Sequence, residues 1–163
     1  MRVVPLKRWA KQQRGCISTV VSSRSDRRPS AEIVDEWRKT IVRVLVDGVE
    51  VPPRTLATSL SSVLHIVSAW NPYASAVSQH ENDRASTSLL EEIRSRGIHF
   101  FPAYGHGYSS QYEEHGWCVV GMERAEAQAL GREFAQIAIY EASSEGLLIV
   151  WCDDETTEVS LEH

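Results

Sequence analysis

The order in which the apolar pattern changes period from residue 65 onward is the strongest constraint on what this chain can fold into. A short apolar run from about His65 to Ala69 is followed by a helical segment, then by two strand-like runs, about His99 to Ala103 and Gly116 to Gly121, with no helix between them. A second helical segment, Glu123 to Phe134, precedes Ile137 to Tyr140 and Leu147 to Trp151, which read as the arms of a hairpin around Ser143-Ser144-Glu145-Gly146. The order is β-α-β-β-α-β-β. A doubly wound sheet would keep alternating strand and helix, whereas directly joined strands call for antiparallel pairing. The expected class is α+β, a mostly antiparallel sheet with helices packed on one face, in a ferredoxin-like or split βαβ order from residue 65.

Local chemistry marks the first of those helices best. Ser78-Gln79-His80-Glu81 is an S-x-x-E capping box, in which the serine oxygen accepts from the third amide of the helix and the glutamate reaches back to the cap amide. Ala85, Leu89 and Ile93 mark its buried stripe and Gly97 its stop. In the second helix Ala127, Leu130 and Phe134 share a face, and Gly131 reads as a close contact between helix and sheet. Upstream, Ser30 caps a short helix to about Lys39 with Glu32 in its first turn. The β-branched run Ile41 to Val46 then reads as a strand closing at Asp47-Gly48. Pro52-Pro53 punctuates the chain, and Leu56, Leu60 and Leu64 recur at helical spacing.

With 163 residues, 42% of them hydrophobic, the chain can bury one sizeable core, so residues 30–155 are expected to form one α+β domain. The formal charge of −5 is unevenly spread: residues 1–30 hold eight of the seventeen Lys and Arg against Asp26 alone. Residues 1–29 therefore read as a basic extension, disordered or loosely docked. Its Arg- and Ser-rich composition is that of an organelle transit peptide, and equally that of a start codon placed too far upstream. Residues 156–163 read as an acidic tail ending in the stump of an expression tag. The basic arm could touch nucleic acid weakly and without sequence preference, while the acidic body repels phosphates.

No run approaches the roughly 18 apolar residues of a bilayer span, so no membrane partner is expected. Cys16, Cys118 and Cys152 are an odd count in separate regions, which suggests neither a disulfide framework nor a thiolate metal site and fits a reducing, cytoplasmic compartment.

The segment Ser68-Ala69-Trp70-Asn71-Pro72, a short loop and the capped helix bring together a strand end and a helix N-terminus, where free amides and a partial positive charge favour a small anion. Asn71, Ser78, His80, Asn82 and Gln136 are the candidate ligand-binding residues. Asn82 falls on the inward edge of its helix, where a buried amide needs partners, so it bonds back to the Asn71 loop or reaches a ligand. Asn71-Pro72 either lines that site or only turns the chain. Gln136, at the exit of the second helix, caps it or points to the same place.

Of the histidines, His65 and His99 open strands beside apolar residues and read as core or edge side chains. His106 and His115 flank a Gly/Tyr/Ser-rich loop, Gly105 to Gln111, expected to be mobile, and stand near Tyr104, Tyr108, Tyr112, Glu113 and Glu114. They are the candidate catalytic residues, carried on a lid, because histidine is poised for proton transfer near neutral pH. No H-E-x-x-H spacing occurs and no metal is expected; no P-loop or dinucleotide fingerprint occurs and no cofactor is expected. Cys118, inside Trp117-Cys118-Val119-Val120, reads as a packed thiol rather than a nucleophile.

The runs S-A-W-N-P, E-N, L-L-E-E-I-R-S-R-G, F-P-A, V-V-G-M and A-L-G-R-E-F-A-Q-I-A-I together resemble the bacterial domain of unknown function family 3293, over about residues 56–151. By that resemblance Asn71, Pro72, Glu81, Asn82, Gly121, Gly131, Phe134 and Gln136 hold the family's motif positions, and Ala135 stands where many members have glycine. The resemblance implies a small cytoplasmic bacterial protein and brings no activity, substrate or cofactor.

Three functions follow as expectations. The first is a binding domain, with or without enzymatic activity, for a small anion or nucleotide. The second is a non-enzymatic interaction module presenting Trp70, Tyr73 and Trp117 as a flat apolar patch. The third is a nucleic-acid-directed, toxin-like protein led by the basic arm.

Overall fold

The computed structural model describes residues 28–108, 111–153 and 156–160; the expectations for the extension before Arg28 and for the last three residues lie outside these. In chain order the elements are α1 (Ala31–Arg38), β1 (Ile41–Val46), β2 (Val49–Val51), α2 (Pro53–Leu60), β3 (Leu64–Ser68), a 3-10 turn (Pro72–Ala74), α3 (Gln79–Ser95), β4 (Phe100–His106), β5 (Glu113–Val120), α4 (Arg124–Glu133), β6 (Ala138–Ser143), β7 (Gly146–Trp151) and β8 (Thr157–Val159). The strands form one sheet in the order β2-β1-β4-β5-β3-β6-β7-β8. Each neighbouring pair is antiparallel, so the class is α+β with an antiparallel sheet, as the directly joined strands required.

Several boundaries follow from turn chemistry. Asp47 and Gly48 both take left-handed φ, 51° and 80°, the combination a two-residue hairpin needs, and they fold β2 back on β1 with Val46 opposite Val49. Pro53 starts α2 at a position where its missing N–H costs nothing. Ser61, left-handed at φ 49°, ends that helix, so Leu64 opens β3 and does not continue the helical stripe of Leu56 and Leu60. The capping box of α3 is complete in both directions, and Gly97 at φ 66° follows its end. Ser30 precedes α1 but makes no side-chain cap bond.

Two expectations need correction. Helices cover both faces of the sheet, not one. Leu89 and Ile93 of α3 and Ala127 and Leu130 of α4 pack with Val67, Val119 and Ile139 on one face. Leu56 and Ala57 of α2 pack with Val42, Leu64, Ile66 and Ala142 on the other, where α1 also lies, its Trp37 ring 6.0 Å from that of Trp151. Every buried strand therefore carries apolar side chains both ways, which a period-2 reading of one face understates. The second correction concerns the ends: Thr157–Val159, inside the expected acidic tail, pairs with β7 as β8.

Within the sheet β5 lies between β3 and β4, and β3 between β5 and β6. Gly116 makes the tight seam between β5 and β3 feasible, since a Cβ there would stand 2.6 Å from the backbone oxygen of Val67. Gly131 serves the helix layer similarly: a Cβ would meet Cys152 Sγ at 2.7 Å and Ile139 Cγ2 at 3.0 Å.

Candidate functional site

The exit of β3 is built around two amides. The backbone N–H of Asn71 donates to Asn82 Oδ1 (2.9 Å), and Asn82 Nδ2 donates to Asn71 Oδ1 (3.2 Å), with both residues buried. Asn71 Nδ2 donates in turn to the Tyr112 hydroxyl, which donates to Glu114 Oε2 (2.8 Å). Asn71 itself is left-handed at φ 48°, a conformation asparagine tolerates better than most residues, and Tyr73, Ala74 and Ala135 are left-handed too. Burial pushes the Glu114 carboxyl up, opposed by hydrogen bonds from Tyr112, Ser68 and Asn71; burial likewise pushes the Tyr112 phenol up.

Around this network the chain is tied at several points. Tyr73 N–H donates to Ala135 O (2.7 Å), and Gln136 Nε2 donates to Trp70 O (3.0 Å) and Phe134 O (3.2 Å). Ser78 and Glu81 close the helix end, the Ser78 amide donating to Glu81 Oε2 at 2.9 Å. Hydrogen bonds from Ser78, hydroxyl first and then backbone, hold the Glu81 carboxyl below its ordinary range. The positive end of α3 thus already carries a carboxylate. His80 is exposed in the first turn.

A second polar cluster lies at the entry of β3. His65, fully buried, places Nε2 2.9 Å from Glu141 Oε2 across the β3–β6 seam. Arg124, at the start of α4, grips the same carboxylate with two bonds, 2.7 Å from Nε and 2.5 Å from Nη2. The Arg124 hydrogen bond, with the His65 bond second among the favourable contacts, holds Glu141 below its ordinary range against the cost of burial. Desolvation lowers His65 more than Glu141 raises it, so burial favours the neutral imidazole. Its Nδ1 is buried without a hydrogen-bond partner. The sequence signal for this cluster was Glu141 at a core-facing strand position, in phase with Ile139.

Between α3 and β5 lies an open depression of about 280 Å³, lined by Trp70, Gln79, Asp83, Ser86, His115 and Trp117. Gln79, Asp83 and Ser86 recur at i, i+4 and i+7 and so share one face of the helix. Trp117 stands edge-on to Phe100 (5.5 Å, 89°) and its indole N–H donates to Ser86 O (3.3 Å). The His115 ring lies 5.1 Å from that of Trp70 and 6.3 Å from that of Tyr104, and its Nε2 lies 2.7 Å from Glu113 Oε1. Tyr104 donates to Glu50 Oε1 (2.5 Å), and burial first, then that carboxylate, pushes its phenol up to about 12.

The sequence-derived candidates therefore separate. Asn71 and Asn82 bond to one another at the β3 exit, and Gln136 bonds there to the backbone carbonyls of Trp70 and Phe134. Ser78 is spent on the cap. His106 and His115 sit on β4 and β5, inside a paired hairpin in which His106 faces Glu113 and His115 faces Tyr104, so they do not ride on a loop. The strands run further than the sequence suggested because the cross-strand ring contacts of Tyr104 with His115 and of Phe100 with Trp117 outweigh the single Gly105, where a Cβ would come within 2.9 Å of Thr40 Cγ2. Only part of the expected mobile segment remains loop, and Ser109-Ser110 within it lie outside the described residues. Cys118 and Cys152 are buried free thiols, each pushed up to about 12 by burial.

Fold and site together define an α+β protein with an antiparallel sheet, a neutral amide latch beside a surface depression, and no helix among the described residues long and apolar enough to cross a membrane. Residues 67–139 match the family described as Protein of unknown function (DUF3293), and the chain resembles that family over this span. No curated protein and no solved structure matches it. Ala135, at φ 55°, takes a left-handed conformation that glycine adopts at no steric cost.

Proposed function

We propose that this chain is a small-molecule-binding domain whose site is the depression between α3 and β5. The observation that carries the reading is that the depression is walled by Trp70 and Trp117 and edged by the polar side chains of Gln79, Asp83, Ser86 and His115, the mixture of apolar wall and few directed polar groups that small ligands use. The amide latch beneath it fixes Trp70 and the start of α3, so the two sides of the site are held in register.

Among ligands, the geometry favours a neutral or cationic planar group, such as a nucleobase, over a small anion. Glu81 occupies the helix end and Asp83 stands at the rim, and both repel negative charge. Enzymatic use of the site would fall to His115, which lines it, rather than to His106. Part of the same reading is that residues 30–160, β8 included, are one cytoplasmic domain of ferredoxin-like order. The interleaving of β5 between β3 and β4, and of β3 between β5 and β6, supports that order.

The interaction-module alternative has less support, because Trp70 is buried and Trp117 half-buried, leaving Tyr73 alone of that trio exposed. The nucleic-acid alternative rests on the basic arm, and an acidic rim works against it. Titration of ¹⁵N-labelled protein with nucleosides and aromatic amides tests the proposal. Shifts are expected to cluster on Gln79–Ser86, His115 and the Trp117 indole, and to vanish in Ser86→Trp, which fills the depression from the helix side. Shifts elsewhere, or none, would reject it.

A further inference from the structure

We infer that the group held in this depression is an organic cation, an amidinium, guanidinium or substituted ammonium head; the inference rests on the depression being the ligand site. Four observations converge. Among the lining side chains Asp83 is the one carboxylate, and neither lysine nor arginine lines the site. Gln79 Nε2 donates to Asp83 Oδ1 at 2.7 Å, which fixes the carboxylate at the rim. The walls are indoles, and the electron-rich faces of tryptophan are the strongest aromatic partners for a cation.

The fourth observation is the protein's own use of the place. The imidazole of His115 rests between the Trp70 ring, the Tyr104 ring and the Glu113 carboxylate. A flat nitrogen-bearing ring is thus already seated among two aromatic rings beside an acid, surroundings that suit a planar nitrogenous head group. A guest in the depression would extend this arrangement toward Asp83. A phosphate or carboxylate ligand is disfavoured, because it would meet the Asp83 carboxylate with neither lysine nor arginine in the lining.

Three probes of nearly identical shape separate charge from shape: benzamidinium, benzamide and benzoate. Their affinities are measured by following the Trp117 indole and the amides of Gln79–Ser86 at low salt. The expected order is benzamidinium tightest, benzamide weaker and benzoate weakest. Asp83→Asn should weaken benzamidinium about tenfold and leave benzamide unchanged, and salt should weaken benzamidinium alone. Asp83 is exposed on the helix, so the variant keeps its fold. If benzamide binds as tightly as benzamidinium, or benzoate binds best, the cation inference is overturned while the depression stands as a ligand site. If no probe moves these resonances, the cation inference is overturned, and silence in the nucleoside titration as well removes the site itself.

Discussion

At its first turn into the core β3 carries His65 against Glu141 and Arg124; just past its end, Asn71 meets Asn82 through two neutral amides. Both clusters pair polar side chains that the fold encloses, but only one does so with opposite charges and it leaves His65 Nδ1 without a partner. Glu141 is held below the usual 4.5, so the stability it contributes is present above that value and is lost as pH falls. His65 is held below the usual 6.5, so its contribution is likewise full above that value and declines on acidification. Glu114, attached to the amide end, is raised. Its contribution is present in acid and is lost as pH rises through its folded pKa. The two ends of one strand therefore respond to acid with opposite sign, and the charged end is the one that makes the protein acid-sensitive.

The largest effect should come from breaking the neutral end. Asn82→Ala strips the buried Asn71 amide and Oδ1 of their Asn82 partners and should cost about 2–4 kcal/mol in urea denaturation. The loss should be equal at pH 5 and pH 8, and a loss confined to one pH would contradict the contrast. At the charged end Glu141→Gln keeps the shape but removes the charge. Because Arg124 is 44% exposed and can rehydrate, the cost at pH 7 should be only about 1–2 kcal/mol, shrinking toward zero as pH drops below the ordinary glutamate range.

Smaller changes sharpen the comparison. His65→Gln retains a donor toward Glu141 but does not titrate, so the onset of acid destabilisation should move from near pH 6.5 to near 4.5. An unchanged onset would show that His65 is not the sensor. Glu114→Gln should raise stability above neutral pH by about 1 kcal/mol, because it removes the cost of ionising an enclosed carboxyl. Ala135→Gly should gain about 0.5 kcal/mol, relief of the left-handed φ slightly exceeding the added chain entropy; a loss would mean that the Ala135 methyl packs usefully.

What could be read from the residues follows the range of the interactions. The capping box at Ser78, the stop at Gly97 and the turn at Asp47-Gly48 depend on neighbours within four positions, and each appears where the sequence put it. The meeting of Asn71 and Asn82 was accessible for the same reason, since one loop joins them. The pairing of His65 with Glu141 depends on strand register across 76 positions, and nothing local encodes it. β8 was missed because three residues with a charged centre carry too little periodicity. The placement of α1 and α2 on the second face is also non-local. Tyr112 and Glu114 were noticed only as neighbours of the histidines, whereas their role is to carry the amide network away from Asn71.

The seam between β3 and β6 consists of Leu64 with Ala142, His65 with Glu141 and Ile66 with Tyr140. The stretch that matches the family model, 67–139, begins after the first partner of each pair and stops before the second. A fragment trimmed to those limits would lack the whole seam and its internal acid, and during synthesis β3 must leave the ribosome long before either flanking strand exists. Expression boundaries for relatives of this protein should therefore be drawn beyond the recognisable motif on both sides, and the nascent chain is most exposed to aggregation while that strand waits.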